Sequence, residues 1–342
     1  MNQSNFITFL RFPLIVGVLV VHTHLTVNDH EVWYDYYSHI IGKLTLIAPA
    51  IFFMMSAYLF FYKGFSTSIY KSKLKKRIKT LLIPYLIWNL LYLLYIWTVQ
   101  TFAPSLIGSG RKMVADYSFC DFLNSFWNFG GMYYGMPVLY AFWFIRDLLV
   151  INLFAPIVYF LLNKMDFIII LILICFYIFN PLKLMATDLD WVKAILFYFI
   201  GAYYAIKQRL LFDLGKLYWV ILPTALLLLL IPQLINSFQY GGRTLFVVLA
   251  VAVPAAFKKY ASSCSMSPSL TLAQSSFFVY AFHLFIIEGA SKMWQLLLPN
   301  TCLVIAIGRI VVPLSVSFFC VGFYYLLNKL IPKPISIMTG GR

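Results

Sequence analysis

The stretch that decides the fold is residues 6–25, FITFLRFPLIVGVLVVHTHL. A run of this length suits an α-helix crossing a ~30 Å hydrocarbon layer, yet it holds Arg11 near its start and His22 near its end. At ~1.5 Å of rise and ~100° of turn per residue, the interval puts the two side chains about 16 Å apart and within roughly 20° of one face. An ionisable group at membrane depth is costly, so its default reading is functional, lining a cavity or a pathway. Each group also has a structural reading. Arg11 can snorkel to headgroups, and His22 can be hydrogen-bonded at the interface. The ten residues between them are too few to cross the layer, so at least one of the two lies within it.

The rest of the chain has the same character. Its 342 residues are 62% hydrophobic, 19% aromatic and 11% charged, with a mean hydropathy of +0.86, whereas a soluble domain carries roughly 25% charged residues. That excludes the soluble classes and predicts an all-α fold, a polytopic transmembrane helical bundle forming a single domain over 1–342. About ten spans are expected, at 6–25, 42–62, 80–99, 138–162, 166–180, 192–207, 217–235, 244–257, 273–292 and 303–327, the fifth and eighth being short. An even count puts both termini on one side. With the termini cytoplasmic, sixteen basic residues fall in inner segments and seven in outer ones, which satisfies the positive-inside rule. The net charge of +15 then follows from topology, and nucleic acid is not expected as a partner. No Lys or Arg precedes the first apolar run and no small-residue cleavage site follows it, so the first helix is expected to be retained. The placement implied is a membrane crossed several times. Five scattered cysteines without a CxxC pair indicate neither a disulfide framework nor a zinc site.

Several residues could carry chemistry. His22 can serve as a general base on a hydroxyl. His24 would lie about 200° from it on a helix and could not grip a metal from the same face, and with His30 and His39 it gives no convincing metal site. Arg146 and Asp147, in WFIRDLL, are helix neighbours that do not face each other, so each is expected to find its partner on another helix. Tyr280 and His283 stand one turn apart, as a proton relay or as a helix-to-helix hydrogen bond. Arg309 is a further intramembrane guanidinium to which no role attaches. The run KSKLKKRIK (71–79) ends where the third span begins. It suits topology and anionic lipid headgroups, and equally the phosphates of a nucleotide-like donor. The aromatic outer loop 100–137, with Gly130 and Gly131, reads as interfacial belt or as a sugar-stacking surface.

Together these residues resemble bacterial acyltransferase family 3, integral membrane proteins that move acyl groups, usually acetyl, from cytosolic acyl-CoA onto cell-envelope glycans. The resemblance covers roughly residues 5–330. Arg11 and His22 match the family's Arg, ten residues, His signature. FFMMSAYLFF (52–61), which contains Ser56, is similar to its FF-x-x-S-G-Y-x-F segment, with Ala57 in place of Gly. Lys76, Arg77 and Lys79 occupy the place of a cytoplasmic Arg-x-x-Arg motif implicated in CoA binding, in a mixed Lys and Arg version. WFIRDLL and the trio Ser276, Tyr280 and His283 resemble two further segments.

The resemblance implies catalysis by His22 with Arg11, the histidine acting as general base or briefly taking the acyl group. Arg146, Asp147, Tyr280, His283 and Ser56 would support the oxyanion or the acceptor. Acetyl-CoA or another acyl-CoA would be the donor, and no metal is needed. The picture is of Arg11 and His22 looking into one wet channel. With no soluble domain appended, a glycan or lipid-linked sugar acceptor would fall to the outer loops or to an envelope-assembly partner protein. The residues alone leave this enzyme level with a transporter or flippase of a polar, lipid-linked substrate.

Overall fold

The computed structural model describes residues 3–27, 31–103, 112–130, 135–233, 239–264 and 268–341. His30 and Gly131, singled out in the sequence, lie outside them, as do residues 104–111 and 132–134 of the outer loop 100–137. The described residues are predominantly helical: α1 (Gln3–Val21), α2 (Val32–Leu46), α3 (Ala48–Phe61), α4 (Thr67–Arg77), α5 (Ile83–Phe102), α6 (Phe119–Asn124), α7 (Trp143–Leu153), α8 (Ala155–Met165), α9 (Phe167–Phe179), α10 (Ala186–Ile206), α11 (Tyr218–Leu230), α12 (Gly241–Ser263), α13 (Leu270–Phe282), α14 (Ile287–Leu297), α15 (Cys302–Leu330) and α16 (Pro332–Met338).

Among the described residues six helices are long and apolar enough to cross a membrane, α2 with α3 and α4 with α5 each counting as one, and two bent pairs raise the number to as many as eight. This is a multi-pass membrane protein. The sequence reading of ten differs from this range at two short apolar helices. α9 and α11 each have 13 residues, about 20 Å of helix against a ~30 Å layer. The eighth segment, expected to be short, is the 23-residue α12.

Three segments depart from the straight helices expected. The third span begins well before residue 80, because the basic run of α4 continues through a π-helical turn at Ile78–Leu82 into α5, one helix from Thr67 to Phe102. The fourth breaks between α7 and α8 with a bend of 66°, just before Pro156, whose missing N–H and ring favour a helix start. The ninth breaks between α13 and α14 by 58°, at a 3₁₀ turn from His283 to Phe285. Irregular backbone at membrane depth is tolerated where protein or a cavity satisfies it. The second break falls beside His283.

The core forms around α3, whose APAIFFMMSAYLFF is apolar on every side and is mostly buried, as such a helix must be. It packs along α10, where Gly201 permits the contact: a Cβ there would stand 2.1 Å from the Met54 carbonyl oxygen. α1 lies against α13, α2, α15 and α3. α16 folds back on α5, with Trp88 Nε1 donating to the Met338 carbonyl at 2.9 Å. Gly340, at φ +71°, closes on Thr80 of the π turn.

Small residues set how closely membrane helices approach. Gly201→Ala is therefore expected to cost about 1–3 kcal/mol by overpacking, read as a lower thermal midpoint in detergent. Gly242→Ala, which meets nothing within 4 Å, should leave the midpoint in place.

Candidate active site

α1 presents its polar stripe to α13. Arg11 opens into a cavity of about 150 Å³ whose polar lining is Arg11, Ser56, Arg77, Ser276 and Tyr280, the remainder being apolar side chains such as Phe52 and Phe144. Arg77 reaches in from the end of α4, its Nη2 donating to Ser56 Oγ at 3.1 Å with the guanidinium 6.0 Å from the Phe60 ring centroid. Arg11 has no hydrogen-bond or ion-pair partner among the described residues. No carboxylate lines the cavity. Two guanidinium groups facing one apolar-walled space suit an anion, and phosphate or carboxylate matches their fork geometry.

His22 stands outside that lining. α1 ends at Val21, so the expected helix through residue 25 stops short and His22 occupies the turn that follows. Its ring lies 5.1 Å from Tyr140 and 5.3 Å from His283, the two imidazoles inclined by 31°. His283 is wholly buried, with Nδ1 2.7 Å from the Tyr280 carbonyl oxygen. A carbonyl only accepts, so Nδ1 carries the proton and Nε2 is a bare lone pair, buried without a partner.

Tyr280 stands between the two sets of residues. It lines the cavity, its ring is 6.2 Å from His283, it stacks on Phe142 at 5.3 Å, and its hydroxyl donates to the Ala141 carbonyl. The single channel expected from the sequence is thus two compartments on one face of α1, a cationic cavity and a histidine pair, with Tyr280 at their boundary.

The other candidates separate. Lys76 and Lys79 are exposed and outside the cavity lining, and of the basic trio only Arg77 enters it. Lys73 was missed. It lies one turn before Arg77, donates to the Phe60 carbonyl and sits 5.3 Å from the Phe60 ring; the i, i+4 spacing was the available signal. Tyr140 was also missed, and nothing in its local sequence marked it.

Arg146 and Asp147 correct an expectation. They pair with each other, Nε and Nη2 of Arg146 meeting Asp147 Oδ1 at 2.8 and 2.6 Å. The long arginine folds back over its neighbour, which the helix-face argument overlooked. Its Nη1 donates to the carbonyls of Trp127 and Gly135, both at 2.6 Å, between the rings of Trp127 and Trp191. The pair fastens the loop ahead of α7 and lines no part of the cavity. Among the described residues no three His, Cys, Asp or Glu side chains gather as a metal site.

Breaking a buried pair leaves one charge unanswered, at about 3–5 kcal/mol. Asp147→Ala is expected to lose that much stability in thermal unfolding, and the double replacement Arg146→Met with Asp147→Leu to lose clearly less.

No curated protein and no solved structure matches the chain. The family model of acyltransferase family 3, described as an acyltransferase domain, matches residues 4–327. On a match that spans nearly its whole length, the chain belongs to acyltransferase family 3.

Proposed function

We propose that the protein transfers an acyl group, acetyl, from cytosolic acyl-CoA to a hydroxyl of a cell-envelope glycan. The observation that carries this reading is the pairing of Arg11 and Arg77 in one cavity without a carboxylate, a wall away from His22 and His283. The donor's phosphates rest on Arg77, with Lys73, Lys76 and Lys79 of the same helical run supplying the field that draws them in. Arg11 holds the donor deeper in the cavity. Its thioester end reaches the histidines past Tyr280, and the acceptor comes from the opposite side of the inner membrane.

His22 takes the proton of the acceptor hydroxyl as its oxygen attacks the thioester carbonyl. The carbon–sulfur bond breaks, and the leaving thiolate receives the proton back from the imidazolium. In the reacting complex the Nε2 of His283, unpartnered in the structure, accepts a hydrogen bond from a ring N–H of His22, 5.3 Å away between ring centroids, and fixes that ring's orientation. Charge on the tetrahedral oxygen needs a donor. Nε and both Nη atoms of Arg146 are committed to Asp147, Trp127 and Gly135. The Tyr280 hydroxyl, at the boundary of both compartments, takes that role by turning its one O–H from the Ala141 carbonyl to the oxyanion.

His22→Ala is expected to lower glycan acylation by about 10²–10⁴-fold, read by mass spectrometry of surface glycan at equal expression. Retained acylation would remove His22 from the reaction. Added CoA should raise the thermal midpoint of the purified protein, as any ligand confined to the folded state does, and Arg77→Gln should shrink that rise.

A further inference from the structure

Arg309, to which the sequence attached no role, lines a second cavity, of about 320 Å³, beside the end of α1. Thr23, His24, Thr26, Thr45 and Arg309 give this groove its polar lining, no carboxylate lines it, and Val21 and Thr23 place its wall on either side of His22 in the chain. Arg309 Nη1 donates to Ser38 Oγ at 3.1 Å, and the guanidinium lies 5.4 Å from the Tyr34 ring centroid. Nε is buried with no acceptor, and Arg309 has no ion pair among the described residues. A guanidinium offers five N–H donors, and a buried donor left unmet costs the desolvation of its group. The groove thus offers a guanidinium that no lining carboxylate answers.

We propose that the groove formed by His24, Thr23, Thr45 and Arg309 binds a phosphate group carried by the acceptor, which seats the acceptor's hydroxyl beside His22. Phosphate fits because its oxygens accept from the guanidinium fork; the Thr23 and Thr45 hydroxyls donate to the Leu19 and Ile41 carbonyls and serve as polar wall only. The proposal rests on the reading of His22 as the group that meets the acceptor. The phosphate could be a lipid headgroup or a soluble pyrophosphate, and the experiment separates the two.

The full-length protein, purified in detergent and stripped of lipid, is titrated with phosphatidylglycerol, with phosphatidylcholine and with inorganic pyrophosphate, and thermal midpoint and bound lipid by native mass spectrometry are followed. The expected result is saturable stabilisation by phosphatidylglycerol over phosphatidylcholine, or by pyrophosphate, weakened roughly tenfold or more in Arg309→Gln, as loss of a hydrogen bond to a charged group implies. Stabilisation by phosphatidylglycerol alone assigns the site to a headgroup, and stabilisation by pyrophosphate assigns it to a soluble phosphate. His24→Glu, at an exposed position, places a carboxylate in the groove without touching the core, and should abolish the effect even if Arg309→Gln folds poorly. Equal binding by wild type, Arg309→Gln and His24→Glu, or no stabilisation by either phosphate source, overturns the proposal. His22→Ala should keep the phosphate effect and Arg309→Gln should keep the CoA effect, so failure of the groove and failure of the transfer reading give different results.

Discussion

Two positive charges that no carboxylate answers are the constraint on which this bundle depends. Bringing Arg11 and Arg77 to one apolar-walled space costs desolvation that the protein itself does not repay. The surrounding structure therefore has to hold them there. α3 fills the middle of the fold with an apolar surface on all sides, clamped to α10 through Gly201. Ser56, the polar interruption of that surface, is the group that receives Arg77. The rigidity of the α3–α10 contact and the placement of the arginine are in this sense one property.

Much of this was legible from residue spacing. The eleven-residue interval from Arg11 to His22 put both on one face, and α1 does turn both toward α13 and its extension at His283. Composition gave the helical membrane class, and mean hydropathy located most of the long helices. Periodicity could not give the breaks, because an apolar run reads alike whether it is straight or bent by 58° or 66°. Only Pro156 offered a local hint, and the turn at His283 offered none.

Side-chain reach was the other blind point. A helical wheel treats Arg146 and Asp147 as facing apart, yet an arginine has enough freely rotating bonds to fold onto its neighbour. In the basic run the letters alone could not choose among Lys76, Arg77 and Lys79. The choice is made by the direction in which α4 approaches α3, a tertiary fact. The boundary at Tyr280 was likewise invisible, since a tyrosine that lines a space and one that divides it are the same letter.

The π turn after Arg77 carries a consequence for how the molecule is made. It is backed by Gly340, and the neighbouring Trp88 is tied to Met338, 250 residues further along the chain. At roughly 5–20 residues per second, a ribosome needs on the order of ten seconds or more to deliver that support. The nascent protein thus spends that interval with the π turn beside Arg77 unbraced by α16, a built-in delay between the synthesis of the basic run and its final packing.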